Sequence, residues 1–357
     1  MILVVKSCQH KQQQKTASLA RCFLFGFIVS IILICGGCES SIKRSMFVLS
    51  GPIMGTDYRI TVIADRKINQ EALEQDLQAV MNLVNDSMSH YDAASELTKI
   101  NQADAGQKIM LSDQLNEVLT EAVSVSELSG GAFDITLGPL IDLWGFGAQG
   151  LITQKPSTKE IQRLSKIVGY SRLNLKEGVL IKSHSDIQLN LSAIAKGFAV
   201  DQVAAELVQQ GIQDYLIDIG GELRASGVNM DSQLWRVGIE RPMLLGGVQQ
   251  VIKLSNQSVA TSGDYLNFLT IDGQRFSHTI DPITMKPVLH RLASVTVVEE
   301  SASRADALAT AIMAMGDDRG FEFAEKHQLA AYFVLRDETG DGFQIRYTSN
   351  MDVYFSE

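Results

Sequence analysis

Asp57-Tyr-Arg-Ile-Thr-Val-Ile-Ala64 is the stretch that best defines the fold of this chain. Its polar and apolar residues alternate and it is rich in β-branched residues, which is typical of a β-strand. The next stretch, Glu71–Asn85, has its apolar residues at the spacing of one helix face, which predicts an amphipathic helix. A strand followed directly by a helix indicates a chain that mixes both kinds of element.

The same two patterns recur along the rest of the chain. Helices are predicted at Asp113–Leu128, Lys196–Gln210, Ser303–Met315 and Phe321–His327. Strands are predicted at Ile187–Leu191, Tyr215–Ile219, Trp235–Ile239, Gln250–Leu254, Ala293–Val298, Ala331–Leu335 and Phe343–Tyr347. Because these strands are mostly antiparallel in character, we assign the chain to the α+β class. No linker rich in Pro or Ser divides the body, and a division into two sub-lobes is best placed near 145–156.

The charge of the chain limits its partners. The 357 residues carry a formal net charge of −10, while residues 1–37 contain basic side chains and no acidic ones. The remainder is therefore more acidic than the whole chain, and it repels nucleic-acid phosphates and anionic headgroups. We expect no nucleic-acid partner. A phosphate-bearing ligand would need a metal ion or backbone N–H groups to offset its charge.

The cysteines are confined to the start of the chain, at Cys8, Cys22, Cys35 and Cys38. From Glu39 onward there is none, so the body has no disulfide, no thiolate nucleophile and no thiolate metal ligand. Its chemistry must therefore use oxygen and nitrogen groups.

Residues 1–37 have the organisation of a bacterial secretion signal. A basic stretch is followed by the apolar run 22–34, which is too short to cross a bilayer comfortably. Cys35-Gly-Gly-Cys38 then resembles a lipobox, although Cys35 stands where leucine is usual. We therefore predict a lipoprotein signal peptide at 1–37, lipidation at Cys38, a lipidated linker at 38–45 and a folded body at 46–357.

An uncleaved membrane anchor and plain secretion are the alternatives, and all three interpretations place the body outside the cytoplasm. The expected location is the periplasmic face of the cell envelope, lipid-anchored, with the inner membrane favoured. Glu39 is not the aspartate that commonly signals retention there, so the outer membrane stays open.

One candidate metal site lies in the predicted helix that begins near Ser303. Asp306 and Thr310 are spaced i, i+4, so they share one helix face one turn apart. A carboxylate and a hydroxyl directed at the same point suit a hard cation such as Mg²⁺, which prefers oxygen ligands. The alternative is that both side chains simply face water.

A candidate catalytic residue is His278, in the polar segment Ser277-His-Thr-Ile-Asp281-Pro. An imidazole with a pKa near neutrality can take a proton from an attacking hydroxyl. The alternative is a loop histidine without a role.

Four further segments contain small or flexible residues that suit ligand contact. In Asn190–Asp201 a strand leads through small residues into a helix, whose N–H groups can bind an anion, although ordinary packing explains the pattern equally well. The glycine-rich segment from Ser129 to Gly147 contains Phe133 and Trp144, which can stack on a flat ligand, and for Trp144 we prefer core packing. The segments Gly51–Thr56 and Thr261–Tyr265 are either ligand contacts or ordinary turns.

The order of these segments is more specific than any one of them. Along the chain come Met54-Gly-Thr, Ser89-His-Tyr91, Gly130-Gly-Ala-Phe-Asp-Ile-Thr136, Leu191-Ser-Ala-Ile-Ala-Lys-Gly-Phe-Ala-Val-Asp201, Thr261-Ser-Gly-Asp-Tyr265, Ser277-His-Thr-Ile-Asp-Pro282 and Ala305-Asp-Ala-Leu-Ala-Thr310. Together they closely resemble the FAD:protein FMN transferase family over about residues 46–350.

The resemblance implies a T-fold-like α/β architecture with mostly antiparallel sheets, and a Mg²⁺-dependent reaction. FAD is cut at its pyrophosphate, AMP leaves, and FMN passes to a Thr or Ser hydroxyl of a membrane redox subunit. The acceptor is typically a subunit of the sodium-pumping NADH:quinone reductase or of a related electron-transport complex. The body at 46–357 would then be a flavin transferase domain.

The resemblance also implies roles for individual residues. His278 would be the base for the incoming hydroxyl. The metal ligands would be Asp306, Thr310 and the backbone carbonyl of Ala195. The FAD contacts would be Met54, Tyr91, Ala132, Phe133, Asp134, Ser192 and Ile280.

Two positions depart from the family pattern. Met285 stands where glycine is usual, and because a side chain disfavours positive φ, we expect the turn after His278 to differ. Ala309 stands where some members have aspartate, which we expect to remove one possible metal ligand.

A Mg²⁺-dependent FAD pyrophosphatase and a non-catalytic periplasmic flavin-binding protein remain the alternative functions.

Overall fold

The computed structural model describes residues 44–147, 150–243, 246–265, 267–337 and 342–355. The predicted signal peptide, the lipidation site Cys38 and most of the predicted linker lie outside these residues. Within them the helices are α1 Gln70–Met88, α2 Glu96–Gln102, α3 Asp113–Leu128, α4 Gly138–Leu143, α5 Thr158–Leu164, α6 Ala195–Gln209, α7 Ala302–Met315 and α8 Asp317–Lys326, with short 3-10 helices at Tyr170–Arg172 and Ser349–Tyr354.

The strands are β1 Ser45–Ile53, β2 Thr56–Ala64, β3 Ile109–Met110, β4 Leu173–Lys176, β5 Val179–Lys182, β6 Asp214–Ile219, β7 Glu222–Ser226, β8 Trp235–Glu240, β9 Val248–Leu254, β10 Gln257–Gly263, β11 Phe268–Ile271, β12 Gln274–Ser277, β13 Ile280–Asp281, β14 Lys286–Pro287, β15 Leu292–Glu299, β16 Ala330–Arg336 and β17 Phe343–Tyr347. The mixture of helices and strands confirms the α+β class.

An eight-stranded sheet forms the centre of the body, in the order β1-β2-β6-β7-β10-β15-β16-β17. Every pair of neighbouring strands in it is antiparallel, which confirms the predicted character of the sheet. Its outermost hairpin, β1–β2, turns at Met54 and Gly55, both of which have positive φ. Smaller sheets pair β8 with β9, β11 with β12, β13 with β14, and β3 and β4 with β5.

The two faces of the central sheet are covered differently. One face packs against α1, α3, α6 and α7 and forms the main core, to which Ile60, Ile217 and Phe333 contribute from the strands. The other face packs against the β8–β9 hairpin and the C-terminal 3-10 helix, which contribute Trp235 and Met351 to a second core. Because successive side chains of a strand point to opposite faces of the sheet, the central strands contribute residues to both cores.

The predicted strand at Ile187–Leu191 is wrong, because its only ladder contact is an isolated bridge between Gln188 and Leu137. Its alternating leucines are buried, which is the signal that suggested a strand. Side chains take the place of a neighbouring strand. The amide of Asn101 both donates to the carbonyl of Leu189 and accepts from its N–H, and the ammonium of Lys182 donates to the carbonyl of Ile187.

The stretch near 145–156 contributes Gly145, Phe146 and Leu151 to the wall of a large cavity. The main core takes residues from both sides of this stretch, such as Leu140 and Leu164. The division into sub-lobes there stays a prediction. No helix among the described residues is both long enough and apolar enough to cross a membrane.

Candidate active site

A cavity of about 740 Å³ opens where the loops at one end of the central sheet meet the helices α6 and α7. Most of the residues singled out in the sequence line it, although they come from distant parts of the chain: Tyr91, Ala132, Phe133, Asp134, Ser192, His278, Ile280, Asp306 and Thr310. A cavity of this size fits a ligand as large as a dinucleotide.

Two predicted residues do not line this cavity. Ala195 is buried as the first residue of α6. Met54 lies in the β1–β2 turn and forms part of a separate shallow depression. That turn is nevertheless close to the cavity, since the N–H of Gly220, a lining residue, donates to the carbonyl of Asp57 (3.1 Å).

Helices α6 and α7 form the acidic end of the cavity. The carboxylate of Asp306 accepts a hydrogen bond from the N–H of Gly197 on α6 (3.3 Å). The ammonium of Lys196 lies 2.5 Å from Oε2 of Glu222, the first residue of β7. Two carboxylates and one ammonium thus face the same space, and this corner carries an excess of negative charge.

The pKa values of this corner reflect burial and charge together. Burial raises the pKa of Glu222 to about 7, against the opposing effect of the Lys196 ammonium and with a further increase from Asp306. Burial likewise raises the pKa of Asp306. For Lys196, burial alone would lower the pKa, but the carboxylates of Glu222 and Asp306 outweigh it and raise the pKa.

The donor set of this corner fits a hard divalent cation. Asp306 and Thr310 lie one helical turn apart and both line the cavity, and the Thr310 hydroxyl is within 3.2 Å of the Ser262 hydroxyl. All these ligands are oxygens, as Mg²⁺ prefers, and a cation would offset the excess negative charge. The described residues contain no cluster of three His, Cys, Asp or Glu side chains that would suit a metal bound by protein alone. A metal ion held by Asp306 and Thr310 would therefore keep coordination positions open for oxygen atoms of a bound ligand.

His278 is held in one orientation at the end of β12. Its Nδ1 lies 3.0 Å from the carbonyl oxygen of Asn267, and its backbone N–H donates to the same oxygen. Because a carbonyl oxygen only accepts, Nδ1 carries the proton and Nε2 keeps its lone pair. Burial lowers the pKa of His278, so the neutral imidazole predominates at pH 7. The ring of Phe146 packs edge-on against it.

The aromatic residues of the site divide into core and surface. Phe133 is fully buried, so its ring packs in the main core and its backbone borders the cavity. Trp144 is also buried in the core, as expected, and its indole N–H donates to the carbonyl of Met285 (3.2 Å). Tyr91 is 69% exposed, with its ring 3.9 Å from that of His90. Tyr91 is therefore a flat surface available to a ligand.

Asp134 and Ser192 both line the cavity but differ in how far their side chains are engaged within the protein. Both carboxylate oxygens of Asp134 accept hydrogen bonds inside the protein, one from Thr136 and the other from the N–H of Tyr170. Asp134 therefore shapes its own loop, and burial raises its pKa. Ser192 is exposed, and its N–H donates to the side chain of Asn190.

The two departures from the family pattern have different outcomes, and for Met285 the expectation of an altered turn is wrong. Met285 adopts the left-handed conformation itself, with φ +57°, so the turn keeps the geometry that glycine would give. Its N–H donates to the carbonyl of Asp281 (2.8 Å), which closes the turn. Ala309 is completely buried in the main core and is not a cavity-lining residue. The expected loss of a possible metal ligand at this position stays a prediction.

Several residues of the site were not identified as functional from the sequence. Lys196 lies within the segment Leu191–Asp201, but its partner Glu222 is on another element and gives no sequence signal beyond the preceding Gly220-Gly221. Asn267 contributes only its backbone carbonyl, which any residue type provides. Sequence reasoning finds side chains more readily than it finds the backbone atoms that orient them.

Fold and cavity together define a class of protein, an α+β protein with a large cavity at the end of an antiparallel sheet. The model of the ApbE family matches residues 54–333. This chain therefore belongs to the ApbE family.

Relatives and solved structures agree with that assignment. The chain is 38% identical to a protein of Vibrio cholerae named FAD:protein FMN transferase, over 91% of this chain and 97% of that protein. It is 36% identical to the protein of the same name from Haemophilus influenzae, over 87% and 92% of the two chains. Its structure matches the flavin transferase ApbE from Vibrio cholerae with a TM-score of 0.81 and 37% identity, covering 87% of this chain and all of the other. The apo flavinyl transferase ApbE of Pseudomonas stutzeri also matches with a TM-score of 0.81, at 36% identity over 87% and 97% of the two chains.

Proposed function

We propose that this chain is a Mg²⁺-dependent FAD:protein FMN transferase, which moves the FMN half of FAD onto a Thr or Ser hydroxyl of another protein. One observation carries the proposal. A neutral imidazole with a free Nε2, on His278, shares one cavity with the oxygen donors Asp306 and Thr310. The names of the relatives support the same activity.

The reaction needs one proton acceptor and one leaving group. The hydroxyl oxygen of the acceptor forms a bond to the phosphorus of the FMN half, and the bond from that phosphorus to the bridging oxygen breaks. The hydroxyl proton passes to Nε2 of His278, and AMP leaves with the bridging oxygen. Phosphoryl transfer of this kind depends mainly on positioning and on charge neutralisation.

Asp306, Thr310 and the carbonyl of Ala195 would hold the metal ion. Mg²⁺ bound there would neutralise the charge of the pyrophosphate. The protein itself is acidic at this corner, where the carboxylates of Glu222 and Asp306 face the ammonium of Lys196. A phosphate-bearing ligand therefore needs a cation to approach.

The remaining predicted contacts would hold the rest of FAD. The exposed ring of Tyr91 offers a surface for the flat isoalloxazine, and the backbone of Ala132–Asp134 and Ile280 border the same cavity. Ser192 offers an exposed hydroxyl, and Met54 would contact FAD from the β1–β2 turn, which precedes the Asp57 that pairs with Gly220. These side chains orient the substrate and exclude water from it.

The proposed setting is the periplasmic face of the cell envelope, with the chain anchored in the membrane by a lipid on Cys38. Support comes from the lipobox-like Cys35-Gly-Gly-Cys38 after an apolar run. The proposed acceptors are subunits of the sodium-pumping NADH:quinone reductase or of a related electron-transport complex.

The test is to incubate the purified full chain in detergent with FAD and Mg²⁺, with and without candidate acceptor subunits, and to weigh all products by mass spectrometry. FMN mass on a Thr or Ser of an acceptor, together with free AMP, is the expected result. Free FMN and AMP with every acceptor unmodified would instead indicate an FAD pyrophosphatase. Intact FAD bound to a folded chain in every reaction would indicate a flavin-binding protein and overturn the proposal.

The variant that tests the catalytic role is His278→Gln, which keeps a side chain of similar size but removes the basic ring nitrogen. It should bind FAD and form much less flavinylated acceptor. Equal product from this variant and the wild type would show that the observed transfer does not use His278.

A further inference from the structure

The start of helix α7 is capped by a residue of another helix. The first N–H groups of any α-helix lack partners within the helix. In α7, Ser301 is the N-cap and accepts from the N–H of Arg304 (3.1 Å). The N–H groups of Ala302 and Ser303 donate instead to Asp201 of α6, one to each carboxylate oxygen, both at 2.9 Å.

Asp201 is itself fixed from three sides. The hydroxyl of Ser301 donates to its Oδ2 (2.9 Å), and the guanidinium of Arg224 on β7 lies 3.1 Å from its Oδ1. Arg224 also donates to the hydroxyl of Ser258 on β10 and to the carbonyl of Glu300. The carboxylate therefore joins two helices to two strands of the central sheet. A negative charge at a helix N-terminus is also favoured by the helix dipole.

A second contact lies one turn earlier on α6. Gly197 and Asp201 are spaced i, i+4, so they face α7 together. A Cβ on Gly197 would overlap the backbone carbonyl of Ala302, which shows that the two helices touch backbone to backbone. The N–H of Gly197 donates to Asp306 (3.3 Å). Two points on α6 therefore hold α7, at its first turn and at Asp306.

Two separate contacts fix both the rotation and the sliding of one helix against another. The contact at Asp201 fixes the first turn of α7 against α6, and Asp306 and Thr310 follow on the same helix. We infer that Asp201 is a positioning residue, which sets the direction in which Asp306 and Thr310 face the proposed metal ion. This inference rests on the proposed function of the site.

The test is the affinity of the full chain for Mn²⁺ alone, measured by titration calorimetry at a temperature where circular dichroism shows each variant folded. Asp201→Ala should weaken Mn²⁺ binding by roughly tenfold or more, as is usual when the support of a metal ligand is lost. Asp201→Asn keeps one acceptor oxygen for Ala302, and we expect partial rescue, a loss of roughly threefold.

Ser301→Ala is the matched control, because it removes the N-cap side chain and its hydrogen bond to Asp201 but leaves the hydrogen bonds from the N–H groups of Ala302 and Ser303 to Asp201. It should lower Tm but change the Kd for Mn²⁺ by less than about twofold, since the two backbone N–H contacts of α7 with Asp201 remain. A folded Asp201→Ala variant with wild-type affinity would overturn the inference, as would an equal loss in Ser301→Ala. If Asp201→Ala does not fold, wild-type affinity in Asp201→Asn overturns it.

The wild type separates this inference from the proposed function. If the wild-type chain does not bind Mn²⁺, the metal site of the proposed function fails, and the inference fails with it. If the wild type binds Mn²⁺ and transfers FMN while both Asp201 variants bind Mn²⁺ equally well, only the role of Asp201 is refuted.

Discussion

The ammonium of Lys196 lies 2.5 Å from Oε2 of Glu222, and Glu222 is almost completely buried at the wall of the cavity. The pair joins the start of α6 to the start of β7. It neutralises one of the two carboxylates at this corner and leaves Asp306 as the remaining negative charge for a cation to meet.

Stability should fall as the pH rises through the titration of Glu222. Its pKa in the folded chain is about 7, above the usual value of a glutamate. Between those two values the folded state keeps a proton that the unfolded state has released, so stability decreases as the pH rises through that window. Melting curves of metal-free protein from pH 4.5 to pH 8 should show this decrease, and Glu222→Gln should make it shallower.

Glu127→Gln, at an exposed glutamate on α3, is the control and should leave the pH dependence unchanged. If the difference in Tm between the wild type and Glu222→Gln is constant across this range, the proposed raised pKa of Glu222 is wrong.

Asp306→Asn should abolish metal-dependent transfer while the chain stays folded. The amide keeps the shape of the side chain and can still accept from the N–H of Gly197, but it is a poor ligand for Mg²⁺. We expect transfer to fall by at least about 100-fold, with Mn²⁺ binding lost in calorimetry. The exposed Asp318→Asn is the control. A folded Asp306→Asn variant with full activity would remove this residue from the metal site.

His278→Gln should slow transfer without weakening FAD binding. Loss of a positioned base costs about 10²–10⁴ in rate. Because burial lowers the pKa of His278, the neutral imidazole persists into mildly acidic solution. In the wild type, the single-turnover rate should therefore fall only below the usual histidine pKa. That acid limb should disappear in the variant, and an unchanged rate and pH profile would exclude His278 as the base.

Gly197→Ala should destabilise the chain, because its Cβ would overlap the carbonyl of Ala302. Backbone atoms cannot move aside as a flexible side chain can, so we expect a loss of about 1–3 kcal/mol in the free energy of unfolding. The control is Ala205→Ser on the exposed side of α6. Chemical denaturation measures both, and equal stability of the Gly197→Ala variant and the wild type would contradict the close helix contact.

Lys182→Met should destabilise the chain although it removes a charge from the interior. The Lys182 ammonium is fully buried and donates to the carbonyls of Asn101, Ser185 and Ile187. Methionine fills the space but leaves these acceptors without a donor, which costs about 1–3 kcal/mol or more. Lys176→Met, at an exposed lysine on the adjacent strand β4, should change stability little. Similar stability of the two variants would show that water satisfies the carbonyls.

Sequence periodicity predicted helices and strands correctly wherever the pattern of buried side chains coincides with regular backbone hydrogen bonding. The helix at Asp113–Leu128 and the strand at Phe343–Tyr347 agree with the structure to the residue. At Ile187–Leu191 burial alternates, but Lys182 and Asn101 supply the hydrogen bonds from a distance. Local sequence contains no sign of those partners, and so the strand prediction failed there.

Within the candidate site, the sequence identified side chains and missed their supports. Asp306 and Thr310 share one helix, so their common direction follows from helical spacing alone. Glu222 and Lys196 are on different elements, and only tertiary structure brings them together. The free Nε2 of His278 depends on the carbonyl of Asn267, a group present in every residue and therefore invisible to motif analysis.

The cavity takes its walls from segments that run from Tyr91 near the start of the body to Thr310 near its end. No fragment of the chain contains enough of these segments to enclose a ligand. Occupancy of the cavity is therefore linked to global unfolding, and a bound ligand should raise the melting temperature of the whole body as one unit. A chain in which these segments have not yet come together has no such cavity, so its reactivity depends on completed folding.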